Sequence, residues 1–279
     1  MSMSLSGNLH SRYGPYALVT GASSGIGAEY ARQLAAGGLN LVITARRASL
    51  LEELSKSIKY THRDLDIRII IADLTKDEDL QKVITETEQL ESGLLVNNAG
   101  LECFGSFFLN DLERHKRVTK LNAMAPMELT YHFGKKMIER RRGGIIMVSS
   151  VGAYPVPYNS TYSATKGYIS NLGMILNYEL KPFGVDVLVM EPGATETEMY
   201  DRVSSYGDLS KLNGPSLTAE ESVRLTLPQL GKVDVYTPLP GMVVRITMSL
   251  LKMLPRWMTF AFVGKQLEKV WGSDKILKP

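Results

Sequence analysis

Tyr162 and Lys166 stand four residues apart in the segment Tyr162-Ser163-Ala164-Thr165-Lys166. On a helix that spacing brings both side chains to one face. A free phenol gives up its proton only near pH 10. A neighbouring ammonium stabilises the phenolate, so such a pair can donate or remove a proton near neutrality. Alone, a Tyr-x-x-x-Lys is a surface pair in most proteins. Two further features remove it from that class here: Ser149 lies thirteen residues before Tyr162, and a glycine-rich turn lies near the start of the chain.

That turn is Thr20-Gly21-Ala22-Ser23-Ser24-Gly25-Ile26-Gly27. It joins a predicted strand, Ala17–Thr20, to a predicted helix, Gly25–Ala36. Its glycines allow a tight turn whose amides approach a pyrophosphate, and the helix N-terminus adds unsatisfied N–H groups and a favourable dipole. The spacing is Gly-x-x-x-Gly-x-Gly rather than the commoner Gly-x-Gly-x-x-Gly. The end of the next strand then selects the cofactor. An acid there suits a ribose 2′-hydroxyl, whereas a cation suits a 2′-phosphate. The segment is Thr44-Ala45-Arg46-Arg47, with no acid before Glu52. A guanidinium can pair with phosphate through two hydrogen bonds. NADP(H) is therefore expected, with Arg46 placed first and Arg47 as the alternative.

The elements that must position these groups alternate along the chain. Predicted strands are Ala17–Thr20, Leu39–Thr44, Ile67–Ile71, Leu94–Asn97, Gly144–Ser149, Val185–Met190 and Val233–Tyr236. Predicted helices between and after them cover Gly25–Ala36, Leu50–Tyr60, Asp77–Gln89, Asp111–Arg140, Tyr162–Leu180 and Thr218–Leu230. Continuous apolar strands alternating with helices indicate a parallel sheet covered on both faces. Right-handed crossovers give a Rossmann-like, doubly wound α/β fold of about seven strands, with ligands at the carboxyl ends of the strands. Residues 1–279 read as one dinucleotide-binding and catalytic domain. Residues 1–14 form an N-terminal extension and residues 238–279 a C-terminal helical one.

The chain has 279 residues, 44% of them hydrophobic, enough for a full core. With 22% charged residues and a net charge of +3, neither disorder nor nucleic-acid binding is indicated. The basic cluster Lys135-Lys136 and Arg140-Arg141-Arg142 reads as a solvated helix end. The single cysteine, Cys103, excludes an internal disulfide and suits a reducing compartment. It reads as a small packed side chain rather than a nucleophile. His10, His62, His115 and His132 lack metal-ligand spacing, so no catalytic metal is expected. With no signal peptide and no stretch of about 18 uncharged apolar residues, a cytoplasmic protein is expected.

Taken together, these motifs resemble the short-chain dehydrogenase/reductase family over about Tyr16–Leu230. The family's glycine motif matches Thr20–Gly27, its adenine-side acid–apolar pair Asp73-Leu74, and its Asn-Asn-Ala-Gly segment Asn97-Asn98-Ala99-Gly100. Its helix asparagine matches Asn122, its serine Ser149, its Tyr-x-x-x-Lys Tyr162 and Lys166, and its Pro-Gly segment Pro192-Gly193, followed by Thr195 and Thr197. The resemblance implies an NADPH-dependent carbonyl reductase or alcohol dehydrogenase. Tyr162 would be the proton donor, Ser149 would hold the substrate oxygen, Lys166 would bind the nicotinamide ribose, and Asn122 would anchor a relay water. Ser150 takes the place of Ser149 if the register differs by one. For the cofactor it implies contacts from Gly21, Ser23, Ser24, Gly25, Ile26 and Gly27 on the turn. Asp73 and Leu74 would meet the adenine, and Asn98, Ala99 and Gly100 the ribose. Pro192, Gly193, Thr195 and Thr197 would meet the nicotinamide end and the pyrophosphate. A homodimer or homotetramer through Asp111–Arg140 and Tyr162–Leu180 is implied as well. Two other accounts stay open: an NADPH-binding regulator without turnover, and an NAD-linked alcohol dehydrogenase.

The apolar, aromatic stretches Leu101–Phe108 and Ala153–Tyr158 are expected to border a pocket for a lipophilic carbonyl, such as a 3-oxoacyl chain or a steroid-like ketone. The tail holds an amphipathic stretch from Met242 to Leu254, a break at Pro255 and a second helix, Trp257–Trp271. Closing the substrate pocket is the first expectation for it. Packing on another subunit and peripheral membrane contact are the alternatives.

Overall fold

The computed structural model describes residues 5–204, 216–241 and 255–271. Helix α1 (Leu5–Tyr13) leads into β1 (Tyr16–Thr20). Helix and strand then alternate through α2 (Gly25–Ala36), β2 (Asn40–Ala45), α3 (Ala48–Thr61), β3 (Ile67–Ile71), α4 (Asp77–Glu86) and β4 (Ser92–Asn97). Helices α5 (Leu112–Thr119) and α6 (Ala125–Arg140) precede β5 (Gly143–Val148), and α7 (Ser160–Leu180) precedes β6 (Val185–Met190). Shorter elements follow: β7 (Thr195–Glu196), α8 (Glu198–Ser204), β8 (Leu217–Thr218), α9 (Ala219–Thr226) and β9 (Val235–Tyr236), then α10 (Arg256–Trp271).

Seven strands form one parallel sheet in the order β3-β2-β1-β4-β5-β6-β9. The chain winds outward from β1 to β3, then returns to lay β4 beside β1. The strand order reverses there, and a crevice opens at the carboxyl edge. Strand residues alternate between two buried layers, as a pleat requires. Val19, Ile43, Val96, Ile146 and Leu188 pack against α2, α3 and α9 through Tyr30, Leu34, Leu51 and Val223. Leu18, Val42, Leu95, Met147 and Val189 pack against α4, α6 and α7 through Leu80, Leu129, Phe133 and Ile169. Both faces are covered, which is why the strands read as unbroken apolar runs.

Four differences from the sequence reading have physical causes. The polar, glycine- and serine-rich start of the chain folds into α1, with Leu9 and Tyr13 buried one turn apart. The Tyr13 hydroxyl donates to Asp186 at 2.7 Å. Two apolar side chains four residues apart anchor this helix although the segment's composition is polar. Next, the single helix expected over Asp111–Arg140 is split by a wide turn at Lys120–Met124 with π-helical bonding. Pro126 has no N–H to offer the carbonyl of Asn122, four residues back, so the helical ladder is interrupted there. The two-residue strands β7 and β8 and the short helix α8 are too brief to leave a periodic signal. Finally, the basic cluster near the end of α6 is not simply solvated. Arg140 donates to the Ser92 carbonyl, Arg141 to that of Pro182, and Arg142 to that of Ser11 and to the Glu91 carboxylate.

The expected amphipathic stretch from Met242 to Leu254 lies outside the described residues. Among those described, no helix is long and apolar enough to cross a membrane. Helix α10 folds back over the sheet's carboxyl edge, where Leu267 packs with Val203, Phe104, Val156 and Tyr200.

Candidate active site

The crevice is a cleft of about 650 Å³. One end is floored by the turn after β1, where Gly21 and Gly25 adopt positive φ values of 67° and 55°. The Gly21 and Ala22 amides donate to the Thr44 carbonyl, which pins the turn to β2. A Cβ on Gly27 would overlap the Gly21 carbonyl and the Asn98 amide, so Gly27 lets α2 close against the turn. Gly27 itself stands behind the cleft wall. The Thr20 hydroxyl accepts from the Asn98 and Ala99 amides, each at 3.0 Å. The Asn98 side chain donates back to the Thr20 carbonyl at 2.9 Å. Asn98 thus staples β4 to the turn, while Ala99 and Gly100 line the cleft.

The arginines divide unequally. Arg47 donates to the Ser23 hydroxyl at 3.0 Å, to Ser24 at 2.8 Å and to Glu198 Oε2 at 2.8 Å. The structure therefore brings Arg47, not the first-placed Arg46, onto the hydroxyls of the phosphate turn. Arg46 lines the cleft beside Asp73 and Leu74. Burial acts to raise the Asp73 pKa, but the Thr75 hydroxyl and amide, with the charges of Arg46 and Arg117, outweigh it and hold this carboxyl below its usual range. At the other wall Pro192, Gly193, Thr195 and Thr197 follow β6. Thr195 is buried with its hydroxyl on the Gly193 carbonyl, and the Thr197 methyl packs over Gly25.

Tyr162, in the first turns of α7, faces the cleft with Lys166 one turn on. The Lys166 nitrogen lies 5.7 Å from the centre of the tyrosine ring and donates to the Val148 carbonyl at 2.7 Å. Phe104 stacks on the other side of the phenol, with ring centres 6.5 Å apart. Asn122 stands behind the wall. Its carboxamide bonds the Leu101 backbone in both directions at 2.9 Å and reaches Thr165 at 3.2 Å. The wide turn before Pro126 carries this side chain. A Cβ on Gly100 would lie 3.5 Å from both the Asn122 oxygen and the Lys166 nitrogen, so the two converge on Gly100.

The serine assignment needs correction. Ser149 still belongs to the edge of the sheet, its amide on the Met190 carbonyl at 2.7 Å. Its hydroxyl points into the layer beneath α7, donating to the Lys166 carbonyl at 2.8 Å, with the Ser170 hydroxyl 2.9 Å away. The pleat sends the next side chain to the opposite side. Ser150 caps a short turn through the Gly152 amide at 3.0 Å and hydrogen-bonds the Tyr162 phenol. The hydroxyl beside the tyrosine thus sits twelve residues before it rather than thirteen. One residue fewer lies in the intervening loop.

Burial pushes the Tyr162 phenol up, the Ser150 hydrogen bond draws it down, and the charge of Glu102 raises it further. Burial pushes Lys166 down to about 8. A fall from 10.5 to about 8 corresponds to about 3 kcal/mol of cost for holding the ammonium in this site. With the native value depressed, the unfolded chain binds more protons between these pH values, so stability rises with pH there. Lys166→Met removes this cost. In cofactor-free urea unfolding, its advantage over wild type at pH 7 should shrink by about 3 kcal/mol as pH is raised from 8 to 10.5. A constant difference across that range would contradict the burial assigned to Lys166.

Two features of the site left no sequence signal. Glu102 is buried inside the apolar loop after β4, paired with Arg202 at 3.2 Å. At the other rim, Tyr158 donates to Glu268 at 2.6 Å and Leu267 lines the cleft, so α10 closes its substrate end. The aromatic loop Leu101–Phe108 contributes only its first half, since Phe108 is 90% exposed. Cys103 is packed, 3.6 Å from His115, and its thiol is pushed up by burial.

The model of the family described as short chain dehydrogenase matches residues 15–206. A very-long-chain 3-oxoacyl-CoA reductase of Rattus norvegicus is 31% identical over 273 residues, covering 96% of this chain and 82% of the relative. A structure solved to explain 7beta-hydroxysteroid dehydrogenase stereoselectivity superposes with a TM-score of 0.82 at 26% identity, covering 92% of this chain and 99% of that one. A short-chain dehydrogenase of Sphingobium yanoikuyae, solved in complex with NADPH, superposes with a TM-score of 0.75 at 29% identity, covering 86% and 96%.

Proposed function

This chain belongs to the short-chain dehydrogenase family, and from that premise we propose that it is an NADP(H)-dependent reductase of lipophilic ketones with Tyr162 as proton donor. The observation that carries the reading is the convergence of Tyr162, Ser150 and Lys166 at one wall of a cleft whose far end is a phosphate turn. The cofactor supplies the hydride. The turn from Gly21 to Ile26 offers it amides and a helix N-terminus. Arg47, with Arg46, offers cations for a 2′-phosphate, and Asp73, Leu74, Asn98, Ala99, Gly100, Pro192, Gly193, Thr195 and Thr197 complete its bed. The open turn, which leaves no room for a Cβ, and the guanidinium on Ser23 and Ser24 both suit a phosphorylated dinucleotide.

In reduction, the Ser150 hydroxyl donates to the substrate oxygen and holds it beside the phenol. Tyr162 gives its proton to that oxygen as negative charge develops there. The Lys166 ammonium stabilises the resulting phenolate, and Asn122 fixes the Leu101 backbone against which Lys166 and Gly100 pack. The substrate end is formed by Phe104, Val156, Tyr200, Val203 and Leu267, an apolar lining that suits a hydrocarbon body. The relatives' names, a 3-oxoacyl-CoA reductase and a hydroxysteroid dehydrogenase, point to the same class. NADPH oxidation against acyl, steroid and small polar ketones tests this. Lipophilic ketones are expected to be preferred, and tight NADPH binding without any turnover would defeat the proposal.

The two serines make a sharper test. Ser150→Ala is expected to lower kcat/KM by about a hundredfold, the usual scale for one donor to a developing oxyanion. Ser149→Ala, whose hydroxyl faces Ser170, should cost less than about tenfold. The reverse order would restore the thirteen-residue register.

The chain is read as a homodimer through the outer faces of α5, α6 and α7, where Leu112, Tyr131, Ile175 and Tyr178 are all more than half exposed. Light scattering that shows a monomer would exclude this. Peripheral membrane contact through Trp257 and Phe262 on the outer face of α10 completes the reading, and absence of vesicle co-sedimentation would exclude it.

A further inference from the structure

Glu102 does not match the apolar end of the cleft that surrounds it. Its residue exposure is only 8%. Oε1 accepts from the Arg202 guanidinium at 3.2 Å. Oε2 is shut away from water and has no hydrogen-bond partner among the described residues. The side chain lines the same cleft as Tyr162, close enough for its charge to act on the phenol. A buried acceptor left without a donor costs free energy comparable to a lost hydrogen bond, and more when it carries charge. The ion pair does not account for this. Arg202 is half exposed and also stands 3.9 Å from Glu198, so a surface carboxylate could satisfy it. What remains is an acceptor held ready inside the substrate end. As the partner of a guanidinium, this carboxylate is acceptor-only.

We propose that Glu102 is a specificity residue whose Oε2 accepts a hydrogen bond from a hydroxyl carried by the substrate a few atoms from its reacting carbonyl. The inference rests on the ketone-reductase reading above and narrows its substrate class from lipophilic ketones to lipophilic hydroxy-ketones. A plain ketone of the same shape fills the pocket but leaves Oε2 unpaired. Sites built to bond a substrate hydroxyl discriminate far more strongly against an analogue that lacks it than apolar pockets do between hydrocarbons.

The test compares decan-2-one with its 3-, 4- and 5-hydroxy derivatives, using the full chain and NADPH. At least one hydroxy derivative is expected to exceed decan-2-one in kcat/KM by about tenfold or more, mainly through KM. In Glu102→Leu that preference should fall to within about threefold, because no acceptor remains. Glu102→Gln, which keeps the shape and turns an NH2 toward the pocket, should lose it as well. A merely structural Glu102 would lower all four substrates alike and leave their ratios intact. Preference absent in the wild type, or unchanged in both variants, overturns the proposal. The wild-type comparison decides alone if neither variant folds. Reduction of decan-2-one with a flat profile sinks this inference only. Failure to reduce any of the four, with NADPH bound, sinks the reductase reading and this inference with it.

Discussion

Tyr162→Phe is expected to lower kcat for ketone reduction by about a thousandfold or more, within the range for loss of a positioned general acid. NADPH affinity should change by less than about twofold, since one buried hydroxyl is lost and no cofactor contact rests on it alone. The phenylalanine ring keeps the stack on Phe104 and the place beneath Lys166. Only the oxygen bonded to Ser150 disappears. The pH profile provides a second readout. Burial and Glu102 hold the phenol above its ordinary value in the cofactor-free chain, so the wild-type rate should respond to pH on the alkaline side. That response should be absent from any activity the Tyr162→Phe variant retains. Turnover that survives the substitution unchanged would refute the mechanism, whatever the cofactor.

The second large effect concerns the cofactor. Arg47→Ala is expected to weaken NADPH by about ten- to hundredfold, the scale of a lost charge-assisted hydrogen bond, and to leave NADH nearly unaffected. The argument is geometric. Arg47 already gathers Ser23 and Ser24, so an incoming phosphate meets a guanidinium fixed over the turn. Glu198 holds that guanidinium at 2.8 Å and competes with the phosphate for it. Arg46→Ala should cost less than Arg47→Ala, because Arg46 lies toward Asp73 and away from the serines. Titration of both cofactors into the two variants checks this. A larger loss in Arg46→Ala would move the phosphate site to the adenine side. Equal losses for NADPH and NADH would remove the 2′-phosphate from the argument.

Much of this was legible in the residues. Each core strand announced itself as a β-branched run because both faces of the sheet are buried. Gly21, Gly25 and Gly27 announced the turn because close backbone approach excludes a Cβ. Tyr162 and Lys166 announced a shared face because a helix fixes the direction of neighbours four apart. These are local consequences of sequence, and the family resemblance followed from their order.

Other points depended on how distant segments meet. Counting along the chain selected Ser149; the pleat of β5 and the cap at Ser150 decided which hydroxyl meets the phenol. Sequence ranked Arg46 above Arg47, but the side chain that reaches Ser23 and Ser24 comes from where β2 ends relative to the turn after β1. Glu102 read as one polar residue in an apolar loop. Its burial, and its pairing with Arg202 a hundred residues later, exist only once α8 crosses the cleft. Spacing fixes which side chains share a face of one element. Which atoms of two elements touch is set by the packing between them, and no single stretch of sequence encodes that.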